Sequence, residues 1–161
     1  MNGTMMNRTI TTILVMLCVS LCAFAQKGLR INDVFEGKVI LKSKMQESLI
    51  KGDNLASYNL KVLHTVKFTT PFKLRREEVE KLFYEDMENR LSDDDENMEL
   101  ETRNGHLYYA IVQLSDTEKG AHRYICYQCR DKSGDYDITL VYMEGKASLA
   151  DLRRTFKKNN K

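Results

Sequence analysis

The sequence predicts a single α+β domain, in which an antiparallel meander sheet of about four to five strands packs on one side against a long helix and a C-terminal helix. Two kinds of pattern indicate this fold. Several short segments alternate apolar and polar residues between turn signals, as half-buried strands do, and two longer segments repeat apolar residues at helical spacing. The chain contains one proline and is 42% hydrophobic, which is typical of a folded domain.

The sequence of the first part of this domain predicts three short elements. Apolar residues that share one helical face predict a helix over 31–35 that ends at Gly37. A brief apolar run predicts a strand over 39–41. A serine and a glutamine with capping-box spacing open a second predicted helix over 44–51, which the glycine after it ends.

The alternation of apolar and polar residues is longest over 58–68, which predicts a half-buried strand ended by Pro71. Its apolar face comprises Tyr58, Leu60, Val62, His64, Val66 and Phe68. Residues 74–91 then predict the long helix, because apolar side chains recur at helical spacing and charges fill the opposite face. Its apolar face comprises Val79, Leu82, Phe83, Met87 and Leu91.

A hairpin is predicted after an acidic loop at 93–96, because Asn104 and Gly105 form a type I′ turn signal between two strand-like segments. A two-residue turn places Arg103 opposite His106. This register predicts one buried face made of Met98, Leu100, Thr102, Leu107, Tyr109 and Ile111.

Two further strands are predicted over 122–130 and 136–143, joined by a turn at 132–135. The last helix is predicted over 149–158, where a serine and an aspartate three residues apart have capping-box spacing and leucines mark an apolar face.

Residues 1–25 have the features of a secretory signal peptide. A positive residue opens the segment, an apolar run follows, and Ala23 and Ala25 form an A-x-A-like cleavage site. The apolar run is shorter than the ~20 residues that a transmembrane anchor needs. We therefore expect cleavage before Gln26, a single mature domain over 26–161 without a transmembrane anchor, and a periplasmic or secreted location.

The charge of the mature chain is nearly balanced. Removal of Arg8 leaves 24 of the 25 basic residues against 23 acidic residues, a net charge of +1. This balance gives no positive patch for nucleic acid, so we expect no nucleic-acid partner. A lipid anchor is disfavoured, because a leucine, and not the small residue of a lipobox, precedes both Cys18 and Cys22.

Cleavage would leave one cysteine pair, Cys126 and Cys129, with the C-x-x-C spacing of redox dithiols, zinc sites and disulfides. The pair lies in a predicted strand, where residues i and i+3 point to opposite faces. A redox dithiol would lie at a helix N-terminus, and a zinc site would need a second ligand pair. We favour two small buried strand residues and keep a disulfide at a strand bulge, or catalysis, as alternatives.

The predicted strands are also rich in tyrosine. A row of exposed tyrosines binds peptide or glycan by stacking and hydrogen bonding. The candidate binding face comprises Tyr108, Tyr124, Tyr127 and Tyr142. The alternative, which we favour, is ordinary packing between neighbouring strands with the hydroxyl groups at the rim.

No other pattern predicts chemistry. The three histidines lack the spacing of metal ligands, and His64 is expected to be a hydrogen-bonded core residue. Asp93, Asp95 and Asn97 have the spacing of a calcium loop, but the glycine and the bidentate glutamate of such a loop are missing. We therefore predict no metal, no cofactor and no catalytic residue.

Three stretches of the chain resemble small exported proteins of an uncharacterised family in Bacteroidota. They read Ala-Phe-Ala-Gln-Lys-Gly at 23–28, Ile-Thr-Leu-Val-Tyr-Met-Glu-Gly at 138–145 and Ser-Leu-Ala-Asp-Leu at 148–152. The resemblance implies an exported α+β domain closed by a strand that ends in glycine and by a leucine-bearing helix. It implies no catalytic residue, because such families have none established.

Two hypotheses of function follow. The first is an exported, non-enzymatic envelope or secreted module that binds a protein or peptide, such as another envelope protein, through its sheet. Small size, abundant tyrosine and the absence of catalytic motifs favour it, and a polar exposed sheet face would count against it. The second is a periplasmic redox or hydrolytic enzyme, for which Cys126 and Cys129 are the only argument.

Overall fold

The structure, a computed structural model, describes residues 26, 28–88 and 95–158, with the side chains of 95 and 156–158 excepted. The predicted signal peptide lies outside these residues, and so do positions 91, 93 and 94.

The domain is built on one antiparallel sheet of six strands in the order β1-β2-β6-β5-β4-β3. The strands are β1 (Gln46–Lys51), β2 (Leu60–Thr70), β3 (Met98–Arg103), β4 (His106–Leu114), β5 (His122–Lys132) and β6 (Asp135–Gly145). Strands β3 to β6 form the predicted meander, and β2 then pairs with β6 while β1 forms an edge. The prediction of an α+β domain with an antiparallel sheet is confirmed. The predicted strand number is too low, because residues 46–51 form a strand and not a helix.

Within the described residues, three α-helices accompany the sheet: α1 (Asn32–Phe35), α2 (Lys73–Met87) and α3 (Leu149–Lys158). Short 3-10 turns precede β1, β2 and β3 at Lys42–Lys44, Gly52–Tyr58 and Asp95–Asn97. The predicted bounds of α3 are confirmed, and the Ser148 hydroxyl accepts a hydrogen bond from the Asp151 backbone at 3.2 Å, as its cap requires. Helix α2 ends four residues before the predicted position.

The two larger helices cover opposite faces of the sheet. Because successive side chains of a strand point to opposite faces, the apolar residues of β5 pack in two hydrophobic cores, one on each face of the sheet. Val79, Phe83 and Met87 of α2 pack on one face, and Leu149 and Leu152 of α3 pack on the other. The prediction that both helices lie on one side is wrong, since both faces are apolar and each needs a cover.

Two N-terminal predictions are also wrong. Residues 39–41 form no strand, although Val39 and Ile40 still pack against the core from an irregular segment. Residues 44–51, predicted as a helix, contain strand β1, which pairs with β2 from Gln46 opposite Lys67 onward. The backbone hydrogen bonds to β2 outweigh the local capping signal, which stabilises a helix by only about 1 kcal/mol.

The β3–β4 hairpin is confirmed at its turn but not along its whole length. Arg103 lies opposite His106, and the turn residues that join them, an asparagine and a glycine, have positive φ angles of 52° and 77°. The register then shifts at a bulge, so Leu107 faces the α2 core while Tyr109 faces the α3 core. A bulge turns every later side chain to the other face, and the predicted common face is therefore wrong for Tyr109 and Ile111.

Candidate functional site

The two cysteines lie on opposite faces of the sheet. Cys126 packs in the α3 core and Cys129 in the α2 core, and both are buried free thiols. Burial raises the pKa of the Cys126 thiol. Burial also raises the pKa of Cys129, although the nearby Tyr127 hydroxyl and Arg76 charge oppose that shift. Raised pKa values keep both groups as thiols, the less reactive form.

The four candidate tyrosines do not form one exposed face. Tyr124, Tyr127 and Tyr142 have no exposed surface, and they divide between the two cores. The Tyr124 hydroxyl donates to the Ala147 carbonyl at 2.7 Å, and burial raises its pKa to about 12. Only Tyr108 is partly exposed, so the tyrosine-row interpretation fails because strand side chains alternate between faces.

The uncovered part of the α3 face is polar. It carries threonine, lysine, aspartate, glutamine and arginine side chains at positions 65, 67, 69, 128, 130, 137 and 139. Ile50 of the edge strand β1 is 36% exposed on the same face, so within the described residues this surface offers only a small apolar area for a partner.

His64 is the hydrogen-bonded core residue that the sequence predicts. Its Nε2 lies 2.7 Å from the Glu47 carboxylate, its Nδ1 lies 3.1 Å from the Gln26 amide, and its ring packs on Phe35 at 4.5 Å between centroids. Burial lowers the pKa of His64, although Glu47 opposes that shift. The ring therefore links residue 26 and α1 to the sheet.

A pocket of about 350 Å³ opens where the start of α2 meets the β3–β4 and β5–β6 turns. Its lining combines cationic, aromatic and acidic side chains from α2 and from four strands, β3, β4, β5 and β6. The lining includes Arg76, Arg103, Tyr108, Cys129, Asp131 and Tyr136. A concave site with a few convergent polar groups is the usual form of a ligand site.

Arg76 is the most unusual residue of this pocket. Its side chain is only 8% exposed, and its buried Nε has no hydrogen-bond partner. Within the described part of the chain, no carboxylate forms an ion pair with Arg76. The ring of Tyr136 covers the guanidinium at 4.5 Å from its centroid, which compensates part of the cost of burying the charge. A buried charge without an acidic partner is expensive, so this arginine is a candidate for binding an anion.

Glu80 shapes the wall of the pocket. It lies one helical turn after Arg76, is almost fully buried, and accepts a hydrogen bond from the Leu107 backbone at 2.5 Å. Its second oxygen lies 3.1 Å from Nδ1 of His106. Because both oxygens of Glu80 have partners at the start of β4, this carboxylate holds the hairpin against α2 and leaves Arg76 unpaired.

Three further side chains line the pocket. Arg103 lies over the ring of Tyr108, 3.3 Å from its centroid, and pairs with the Glu101 carboxylate at 2.8 Å. Asp131, from β5, accepts a hydrogen bond from the backbone of Gly134 at 3.3 Å. The lining thus combines an arginine stacked on an aromatic ring with an acid from another strand.

The sequence analysis missed Arg76, although a signal is present. Arg76, Val79 and Phe83 follow the i, i+3, i+7 spacing of one helical face, and the other two are core residues. A charged residue on the apolar face of a helix is a reason to look for its partner. The spacing alone does not show that the partner is missing.

The described residues contain no group of three or more histidine, cysteine, aspartate or glutamate side chains that could hold a metal ion. Nor does any helix within 28–88 and 95–158 have the length and hydrophobicity to cross a membrane.

Comparison with known protein families identifies the family of the chain. The model of a family of unknown function matches residues 18–156 of the chain. No curated protein matches the sequence, and no solved structure matches the fold.

Proposed function

Because the chain belongs to DUF6108, a family of unknown function, we propose from its own geometry that it is an exported, non-enzymatic module that binds a protein or peptide partner. The observation that carries this proposal is the buried guanidinium of Arg76, which faces an open pocket without an acid of its own. A partner that offers an anionic group would supply the missing interaction.

The pocket, and not the open sheet face, is the proposed binding surface. The open face is polar, and three of the four candidate tyrosines are buried. Tyr108 is the exception, because its ring lies at the mouth of the pocket beneath Arg103. Aromatic and arginine side chains are the residues that most often contribute strongly to protein interfaces.

The thiols support binding more than catalysis. Cys126 and Cys129 lie in different cores and cannot act as a redox pair, and burial keeps both protonated. Cys129 lines the pocket together with His106, but the His106 ring contacts the Glu80 carboxylate at 3.1 Å, and burial raises the pKa of the thiol that a base would have to activate. A redox or hydrolytic enzyme therefore has less support than a binding module.

Export remains part of the proposal, on the strength of the predicted signal peptide and its cleavage before Gln26. The Gln26 side chain contacts His64 at 3.1 Å, so a chain cut at that point keeps its first contact with the sheet. The mass of the protein recovered from the culture medium or the envelope tests the cleavage.

Binding is tested with the mature chain and a displayed library of random peptides, followed by titration of the selected peptides. Arg76→Met should weaken binding about tenfold or more, since a charge-assisted hydrogen bond is lost. Arg75→Met is the matched control, because Arg75 is partly exposed, pairs with Glu78 at 2.5 Å and is adjacent in the same helix. Equal affinity of the Arg76 variant and the control would contradict the proposal.

Loss of folding is not expected to confuse this test. Replacing an unpaired buried charge by an apolar side chain of similar length is often neutral or stabilising. The melting temperature of Arg76→Met should therefore equal or exceed that of the natural protein. Arg76→Lys, which keeps the charge but not the planar group, serves as a second variant.

A further inference from the structure

We propose that the group bound at Arg76 is a single carboxylate, from either the C-terminus or an acidic side chain of a peptide. This inference rests on the proposed binding function and names the chemistry of its ligand. It follows from the orientation of the guanidinium, from the charges around the pocket and from the pocket's size.

The orientation of the guanidinium favours a planar anion. Tyr136 covers one face of the group, so that face is closed to a ligand. The buried Nε has no acceptor, and the N–H groups of arginine form a fork that matches the two oxygens of a carboxylate. The Tyr127 hydroxyl, which is buried close to the Cys129 thiol, is within electrostatic range of Arg76.

The charges around the pocket disfavour a dianion such as phosphate at neutral pH. Three arginines lie in or around the pocket, at positions 76, 103 and 130, and three carboxylates oppose them, at 80, 101 and 131. His106 belongs to the same wall and contacts Glu80. Apart from Arg76, two arginines thus face three carboxylates, so no positive charge is left to balance the second charge of a dianion, whereas the unpaired guanidinium of Arg76 matches the single charge of one carboxylate.

The size of the pocket fits a small group better than a long segment. A volume of about 350 Å³ is near the lower end of ligand pockets. The turns of the two hairpins bound it, and the ring of Tyr108 lies at the mouth. An end residue or one side chain fits this space, with the rest of the peptide outside it.

The inference is tested by following the Nε–Hε NMR signal of Arg76 in the ¹⁵N-labelled mature chain, assigned with Arg76→Lys. The probes are acetate, inorganic phosphate, and a neutral acetylated tripeptide as free acid and as amide. An amidated tripeptide with one internal glutamate completes the set. Acetate and the free acid should shift the signal in a saturable way, and the neutral amide should not. If the glutamate peptide shifts the Arg76 signal, an acidic side chain is a source of the carboxylate. If it does not shift the signal, the source is the C-terminus.

The outcomes separate this inference from the proposed function. Stronger binding of phosphate than of acetate, or an equal response to acid and amide, overturns the carboxylate assignment while peptide binding stands. Acetate binding without binding of any peptide keeps the carboxylate site and overturns the peptide partner. Glu80→Gln, which removes one negative charge and keeps an acceptor for Leu107, should raise the affinity for phosphate severalfold. If the affinity for phosphate does not change, the claim that the surrounding carboxylates disfavour a dianion is refuted.

Discussion

Asp86 is expected to be the strongest single anchor of the N-terminal segment. Its side chain has no exposed surface and accepts backbone hydrogen bonds from Arg30 at 2.6 Å and from Ile31 at 2.7 Å. These donors lie at the start of α1, where a helix leaves N–H groups without partners. Residue 31 is itself almost fully buried, so water cannot replace the carboxylate there.

The cost of removing this carboxylate follows from the two donors. An unsatisfied buried donor costs about 1–3 kcal/mol, so Asp86→Ala should reduce the free energy of unfolding by about 2–6 kcal/mol. Asp86→Asn keeps one acceptor and turns an NH₂ group toward the other donor. It should therefore reduce the free energy of unfolding by about 1–3 kcal/mol. Either loss is a large fraction of the stability of an ordinary domain.

Urea unfolding of the mature chain measures these losses, and hydrogen exchange of the residue 31 amide reports whether the segment is released. Glu85→Gln is the matched control, because Glu85 is the neighbouring acid and makes only long contacts of 3.7 Å to Arg30 and 3.8 Å to Lys81. The control should change stability by less than about 0.5 kcal/mol. If Asp86→Ala costs no more than Glu85→Gln, or leaves amide exchange unchanged, the reasoning is refuted.

Three further results are expected. Gly145→Ala should destabilise the fold by about 1–3 kcal/mol or more, because the new Cβ would meet the Asn59 carbonyl oxygen and lie 2.6 Å from the Cα of Leu60. An unchanged urea midpoint would disprove this. Burial lowers the pKa of His64, so the neutral ring stabilises the folded state above about pH 6.5 and stability falls as the pH drops below that value. His64→Gln should flatten this dependence, and equal slopes for both proteins would contradict it. A thiol count on denatured mature chain purified under oxidising conditions should find Cys126 and Cys129 both free, whereas an absence of free thiol would reveal a disulfide.

The candidate site could be predicted only in its parts. Tyr108 belonged to the candidate binding face, and it does line the pocket. Its three companions are buried, because neighbouring strand residues point to opposite faces and both faces are covered. Arg76 lies on the apolar face of α2 by spacing alone. Arg76 has no acidic partner because Glu80 is held by the start of β4. This contact joins residues that are far apart in the chain.

Local chemistry by itself determined α3, the β3–β4 and β5–β6 turns and the long strand β2. In each of these, a cap, a turn signal or an alternating pattern acts within about ten residues. Tertiary structure alone decided that residues 46–51 form a strand, because their hydrogen-bond partners are in β2. It also decided the bulge that turns Tyr109 to the other core and the pairing of Glu80 with β4. Long-range backbone pairing and burial stabilise these features, and no short stretch of sequence contains both partners.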